Sequence, residues 1–309
     1  MDNQATIYVA GSRGLVGSAI VRKLKDHGYT DIIERTSKEL DLRNQVAVDD
    51  FFRNTQPEYV FLAAAKVGGI YANSVSPAEF IYENLMIEAN IINAAHKYKV
   101  NKLMFLGSSC IYPKYAMQPL KEEYLLTGEL EPTNQWYAIA KIAGIKMCQA
   151  YRQQYGDNFI SVMPTNLYGM NDNFDLESSH VLPALMRKFH EAAQAGQPSV
   201  EVWGSGNPRR EFLYVDDLAD ACHFLMQEYD DGEIINIGTG TDVTIAELAS
   251  KMAHATGFKG SVVYDPTKPD GTPVKLLDVS KLNKLGWQAQ TSLDDGIMKT
   301  YQWFSQKFG

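Results

Sequence analysis

Short apolar runs that alternate with amphipathic helical stretches predict an α/β fold, a doubly wound parallel sheet, and two further patterns support it. Gly11, Gly14 and Gly17 fall between the first apolar run and the first helical stretch. Segments of small and polar residues follow the later runs, at the strand ends where such sheets gather ligands. The second half breaks into shorter pieces, which predicts a smaller, partly interleaved C-terminal domain. The expected division is residues 1–170, also receiving later segments such as 211–240, and residues 171–309.

Ala5 to Ala10 reads as a buried parallel strand, and the helix after the glycines runs to about His27. In Gly11-Ser12-Arg13-Gly14-Leu15-Val16-Gly17 the glycines allow a tight turn, close approach to a pyrophosphate and close helix–strand packing. The helix N-terminus adds free N–H groups and a positive dipole end. That combination reads as a Rossmann-like dinucleotide site. Thr30 to Arg35 is the second strand. Glu34 at its end suits a ribose 2′-hydroxyl, which keeps NAD open. Arg13, Arg35 and Lys38 cluster around the same spot, suit a 2′-phosphate and favour NADP. Asp41-Leu42 follows within reach of an adenine.

Asn44 to Thr55 reads as helix and Tyr59 to Leu62 as the third strand, followed by Ala63-Ala64-Ala65, small enough for backbone to approach a flat cofactor. Pro77 suits the first turn of a long helix to about Tyr98. A fourth strand, Leu103 to Leu106, leads through Gly107 to Ser108. On extended backbone Ser108 and Cys110 point to one side and Ser109 away. Tyr137 and Lys141, four apart, share one face of a helix expected over Asn134 to Tyr155. An ammonium there is expected to draw the phenol pKa from about 10 towards neutrality, fitting Tyr137 for proton transfer.

Phe159 to Met163 is the next strand, ending in Pro164-Thr165-Asn166-Leu167-Tyr-Gly169, and a polar loop from Met170 to Ser179 delivers His180 just before a helix. Val200 to Trp203 and Ile234 to Ile237 have strand character. Asp216 or Asp217 is expected to cap the helix that follows, and Thr244 with Glu247 forms a capping box. Lys268-Pro269-Asp270-Gly271 is a turn, and a last helix covers about Leu293 to Phe308.

The 309 residues, 45% hydrophobic and 21% charged, are ordinary for a soluble enzyme. A net charge of −8 argues against a nucleic-acid partner. Cys110, Cys148 and Cys222 are too scattered for a disulfide framework or a metal-ligand pattern, which points to a reducing compartment. The start Met-Asp-Asn-Gln shows no signal peptide and no apolar run is long enough to span a bilayer, so a cytoplasmic protein without membrane partners is expected.

The glycine loop with Ser108, Tyr137 and Lys141 resembles the extended short-chain dehydrogenase/reductases. Ala63-Ala-Ala-Lys-Val-Gly-Gly69, Leu106-Gly-Ser-Ser-Cys-Ile-Tyr-Pro113, Pro164-Thr-Asn-Leu-Tyr-Gly169, Trp203-Gly-Ser-Gly206 and Lys268-Pro-Asp-Gly271 narrow the likeness, from first strand to last helix, to the GDP-L-fucose synthases of that family. The resemblance implies NADPH as cofactor and GDP-4-keto-6-deoxy-D-mannose as substrate, inverted at C3 and C5 and then reduced at C4. It implies Cys110 as base, His180 as acid, Ser108 and Tyr137 on the C4 oxygen, and Lys141 on the nicotinamide ribose. Implied cofactor contacts extend over the glycine loop, Arg35, Lys38, Asp41, Leu42, Leu106, Gly107, Ser109, Pro164, Thr165, Asn166, Leu167 and His180.

Lys188, Trp203, Arg210 and Asp270 are implied for the nucleotide sugar, with Arg187 and Arg209 ranked as ordinary surface charges. A symmetric homodimer through the helices at 77–98 and 134–155 is implied as well. Two rivals stand beside this reading: a GDP-L-colitose-type synthase that acts on a 4-keto-3,6-dideoxy sugar and inverts C5 alone, and a catalytically inactive nucleotide sensor. Two positions depart from the family pattern: Gln135-Trp136 stands just before Tyr137, and Ser37 stands where a basic residue is expected.

Overall fold

Strands buried on both faces must be largely apolar, and four central segments of this chain meet that requirement, with Lys102 and Ser161 as buried polar exceptions. The computed structural model describes residues 1–268 and 270–308. In chain order its first half comprises β1 (Ile7–Ala10), α1 (Leu15–Asp26), β2 (Ile32–Glu34), α2 (Gln45–Thr55), β3 (Tyr59–Leu62), α3 (Ile70–Val75), α4 (Pro77–Lys97), β4 (Lys102–Leu106), α5 (Gln135–Tyr155) and β5 (Phe159–Pro164). The second half adds β6 (Asn166–Tyr168), α6 (Val181–Gln194), β7 (Ser199–Trp203), β8 (Arg209–Arg210), β9 (Phe212–Tyr214), α7 (Val215–Glu228), β10 (Ile235–Ile237), β11 (Val243–Thr244), α8 (Ile245–Thr256), β12 (Ser261–Asp265), β13 (Val274–Lys275), α9 (Ser280–Lys284) and α10 (Leu293–Phe308).

Six strands form one parallel sheet in the order β10-β5-β4-β3-β1-β2. Strand order reverses between β1 and β3, which opens a crevice beyond their carboxyl ends. Period-two alternation sorts the strand residues onto two cores. Ile7, Val9, Phe61, Met104 and Ile160 pack with residues of α1 and α7. Tyr8, Val60, Leu62, Leu103, Phe105 and Phe159 pack with residues of α2, α4 and α5. Full burial of each such side chain contributes about 1.5–3 kcal/mol.

A third cluster, separate from the sheet, gathers Leu185, Met186 and Phe189 of α6, Val200 and Val202 of β7, Leu248 and Met252 of α8, and Ile297 and Phe304 of α10. Small sheets tie it to the rest: β6 pairs with β9, β7 with β12, and β8 with both β11 and β13. Glu211, fully buried between β8 and β9, is the peg of this junction. Its carboxylate accepts from the backbone N–H groups of Thr239 (2.6 Å), Gly240 (2.7 Å) and Leu277 (3.0 Å).

Several sequence expectations need correction. Neither Asp216 nor Asp217 caps α7. The helix begins at Val215 with Tyr214 in the cap position and no side-chain cap. Asp216 pairs instead with Arg22 of α1 at 2.5 Å. Asp217, buried, accepts from the backbone N–H of Gln290 (2.9 Å) and Thr291 (2.7 Å) and from the Thr291 hydroxyl (2.8 Å), fastening the segment that enters α10. Residues in the first helical turn were free to reach sideways because β9 runs straight into the helix. The short helix α3 and the two-residue strands β8, β11 and β13 carry too few residues to show a period, so they were not expected. The Thr244–Glu247 capping box is present in full. The expected turn at 268–271 includes Pro269, which lies outside the described residues.

Replacing Asp217 with Ala strands two backbone donors and a hydroxyl. Stability should fall by about 1–3 kcal/mol, read from urea unfolding.

Candidate functional site

Parallel strands deliver their carboxyl ends to one edge, and there the sheet faces the third cluster across a cleft of about 1200 Å³. A single small-molecule site occupies roughly 300–1,000 Å³, so this cleft has room for two ligands in contact. Gly11, Arg13, Gly14, Leu15, Val16 and Gly17 line one end with Arg35, Asp41 and Leu42. Leu106, Gly107, Ser108, Ser109, Cys110, Tyr137, Lys141 and the segment Pro164, Thr165, Asn166, Leu167 line the middle. His180, Lys188, Trp203, Arg210 and Asp270 line the other end.

Two of the implied cofactor contacts do not line it. Ser12 is buried, and its hydroxyl has no partner among the described residues, because the loop turns it inward beneath Gly17. Lys38 points elsewhere. The Glu39 carboxylate binds the backbone N–H and hydroxyl of Thr36 and folds the segment into a turn that presents Thr36 and Ser37 to the cleft. Trp136, beside Tyr137 in sequence, is likewise not a wall of the cleft; it is 39% exposed.

The glycine loop is as tight as its composition requires. Gly11 has φ +81°, and a Cβ on it would sit 2.9 Å from the backbone of Ala64. A Cβ on Gly17 would sit 2.1 Å from the Gly11 carbonyl oxygen. The N-cap of α1, Gly14, supplies no side-chain cap, so the first N–H groups stay free for an anion. Glu34, the carboxylate suited to a 2′-hydroxyl, is turned away and pairs with Lys25 at 3.1 Å. Arg13 and Arg35 are exposed at the cleft and have no carboxylate partner among the described residues. Asp41 is engaged by Arg43 at 2.9 Å, and Arg43 also reaches Glu83 at 3.1 Å.

In the middle of the cleft the expected alternation on extended backbone gives way to a turn. Ser108 is extended (φ −162°, ψ 149°), but Ser109 to Ile111 form one turn of 3-10 helix. That turn carries the Cys110 thiol onto the Ser108 hydroxyl, to which it donates at 3.1 Å, and the Cys110 backbone N–H donates to the same oxygen. Tyr137 comes from the first turn of α5. Burial pushes its phenol well above the ordinary value, with the Cys110 thiol and the Glu88 carboxylate acting in the same direction. Only a hydrogen bond from Ser108 opposes them. The expected pull from Lys141 towards neutrality is therefore corrected. The Lys141 ammonium sits 3.0 Å from Glu88 Oε1, both side chains 2% exposed, and 5.8 Å from the Tyr137 ring centroid. Its charge is spent on Glu88.

His180 occupies the N-cap position of α6 without capping it, so its imidazole is open to the cleft. Surrounding protein, helped by Lys275, holds its pKa below the ordinary value. Trp203 is 53% exposed, with the ammonium groups of Lys188 and Lys268 at 5.2 and 5.3 Å from its ring centroid. An exposed indole of this kind suits a flat ring. Arg210 donates to the Asp270 carbonyl at 3.3 Å, while the Asp270 carboxylate holds the Ser205 N–H (2.7 Å) and hydroxyl (2.8 Å). Arg209 and Arg187 are taken up by Asp242 and Glu191, both at 2.7 Å.

Glu88, Asn134 and Lys275 escaped the sequence reading. Lys275 lines the cleft from a two-residue strand with no periodic signal. Asn134 does so with an unpartnered amide oxygen one position before α5. Glu88 lay hidden among the apolar positions of α4.

The model of the NAD dependent epimerase/dehydratase family matches residues 7–238. A putative GDP-L-fucose synthase 2 from Arabidopsis thaliana is 62% identical over 304 residues, covering 98% of this chain and 93% of that protein. The GDP-L-fucose synthase of Escherichia coli (strain K12) is 56% identical over 307 residues, with 96% of each chain covered. A GDP-L-colitose synthase from Yersinia pseudotuberculosis is 39% identical over 300 residues, covering 96% of this chain and 97% of that protein. Among solved structures, a GDP-L-fucose synthetase from Naegleria fowleri bound to NADP superposes with a TM-score of 0.92 at 31% identity, covering 100% of this chain and 96% of that one.

Proposed function

This chain belongs to the NAD dependent epimerase/dehydratase family, and within it we propose an NADPH-dependent epimerase-reductase that converts GDP-4-keto-6-deoxy-D-mannose to GDP-L-fucose. One observation carries the reading: a thiol, a hydroxyl and a phenol meet midway along a cleft that has a glycine loop at one end and an open indole with an arginine at the other. The relatives sharing more than half of its residues carry the fucose activity in their names. The colitose-type rival stands at lower identity.

The residues fit a dinucleotide. Gly11 and Gly17 let the loop pack backbone against backbone where a Cβ would collide, free N–H groups at α1 suit a pyrophosphate, and Arg13 and Arg35 suit a 2′-phosphate. When bound, NADPH supplies hydride for the C4 carbon. The remaining chemistry falls to the chain. A C4 ketone acidifies the protons on C3 and C5, and the Cys110 thiolate removes them in this reading. Ser108 and Tyr137 donate to the C4 oxygen and stabilise the enolate in the manner of an oxyanion hole. His180 returns a proton on the opposite face; its lowered pKa makes the imidazolium, once formed, a stronger acid than the imidazolium of an unperturbed histidine. Tyr137 then protonates the C4 oxygen. A phenol held above its ordinary pKa is fully protonated at neutral pH, the state this step needs.

Arg210, Lys188, Trp203 and Asp270 would hold the GDP moiety. Residues 1–170, with 211–240, form the cofactor-binding part in this reading, and the rest of 171–309 forms mainly the substrate part. A homodimer through α4 and α5 is supported by exposed Tyr82, Trp136, Ile139 and Tyr155 on those helices. A cytoplasmic location accords with the scattered cysteines. No helix among the described residues is long and apolar enough to cross a membrane.

Incubation of the protein with GDP-4-keto-6-deoxy-D-mannose and NADPH should yield GDP-L-fucose by NMR, and Cys110→Ala should abolish solvent deuterium uptake at C3 and C5. Full exchange in that variant rejects the thiol as base. Arg13→Ala should weaken NADPH on the order of tenfold, about 1.4 kcal/mol, with little change for NADH. Equal losses for both cofactors reject the phosphate assignment. Light scattering at micromolar concentration should report twice the chain mass, and a monomer would refute the dimer.

A further inference from the structure

The catalytic lysine position has a counter-ion that none of the chemistry above uses. Glu88 lies in the middle of α4, 2% exposed, and its carboxylate is 3.0 Å from the Lys141 ammonium. Neither of its oxygens accepts a hydrogen bond from any other described group. A buried carboxylate with one cationic contact and no N–H donors is expensive to keep, and an apolar residue would fill the site at less cost. The fold nonetheless makes room for it. Gly144, on the facing helix α5, has no side chain at the point where a Cβ would lie 2.8 Å from Glu88 Oε2 and 2.5 Å from Phe105 Cζ. Lys141 is thereby seated over the Phe105 ring at 4.7 Å, rather than over Tyr137 at 5.8 Å.

We propose that Glu88 is a positioning residue: by holding Lys141 in a buried ion pair, it keeps the Tyr137 phenol protonated and available as the proton donor to the C4 oxygen. This rests on the reductase reading above, and it settles a conflict within it. A lysine one helical turn from a phenol, left with its full charge, favours the phenolate. A phenolate cannot donate the proton that reduction consumes. The Glu88 carboxylate cancels that charge from behind, and its own field also favours the neutral phenol.

Few other groups bear on the triad. From α5 come Tyr137 itself and Cys148, from the turn after β4 comes Cys110, and β4 and β5 contribute the neutral Phe105 and Ser161. Burial pushes the Cys148 thiol up to about 12, so it stays uncharged across the working range. Cys110 meets Tyr137 rather than Glu88. Burial raises the pKa of the Glu88 carboxyl itself, and the Lys141 ammonium at 3.0 Å is what pulls it back towards the carboxylate.

The test is Glu88→Gln in the full chain, which keeps the shape and removes the charge. The Tyr137 titration is read from near-ultraviolet absorbance as the difference from Tyr137→Phe in the same background, without substrate. In Glu88→Gln the phenol should titrate about one pH unit or more lower than in the parent. The alkaline limb of the pH–rate profile for ketone reduction should move down with it, costing about tenfold in rate above the new midpoint. Glu88→Asp, which keeps the charge on a shorter arm, should fall between the two. It carries the test alone should Glu88→Gln not fold.

A phenol titration unchanged by either substitution overturns the proposal, as does a rate lowered uniformly at all pH values, which marks Glu88 as merely structural. Failure of the wider reading shows differently. Without turnover of the keto sugar, the substrate-free titration still reports on Glu88.

Discussion

Parallel pairing sends every strand of the central sheet to the same edge, and that constraint decides where everything else in this chain can be. Because β1, β3, β4 and β5 end together, the loops that leave them must share one crevice. The glycine loop, Ala63–Ala65, Ser108 and the Pro164–Leu167 segment are those loops. Along the crevice backbone meets backbone: Gly11 rests against Ala64, the residue that follows β3 by two. A side chain at Gly11 would pry the first strand–helix unit from its neighbour. The small residues are thus a packing requirement first, and the close packing is what brings the free N–H groups of α1 to the crevice.

The sheet and the glycine loop were legible because each announces itself within a few residues. The apolar run Tyr59–Leu62 and the amphipathic stretch Leu293–Phe308 have the length and period of the elements they form. The sites that misled share a different property: their side chains answer to partners far along the chain. Asp217 looks like a cap until residues 290 and 291 arrive beside it. Lys141 looks like a modifier of Tyr137 until Glu88, from the preceding long helix, meets it. Ser108 and Cys110 were placed on one side correctly, but by the wrong backbone, since a single turn of 3-10 helix leaves no periodic trace. Local pattern predicts local geometry, and electrostatic partnership is seldom local.

Two buried carboxylates show how differently the fold can accommodate one kind of group. Glu211 is surrounded by backbone donors and acts as a structural peg between the sheet and the smaller strands. Glu88 has none of these and faces a single ammonium across the α4–α5 interface. The first arrangement satisfies the charge in place. The second leaves each member dependent on the other, which suits a group whose task is to set the field around a third.

The three thiols also lie in unequal surroundings. Cys148 and Cys222 are sealed in the cores flanking the sheet, and burial pushes both far from ionisation. Cys110 alone borders the cleft, at the midpoint between its two ends. An electrophile small enough to enter would therefore meet one address, and whatever fills the crevice would shield it. The molecule carries its own occupancy gauge, a single alkylation site whose labelling rate reports how full the cleft is.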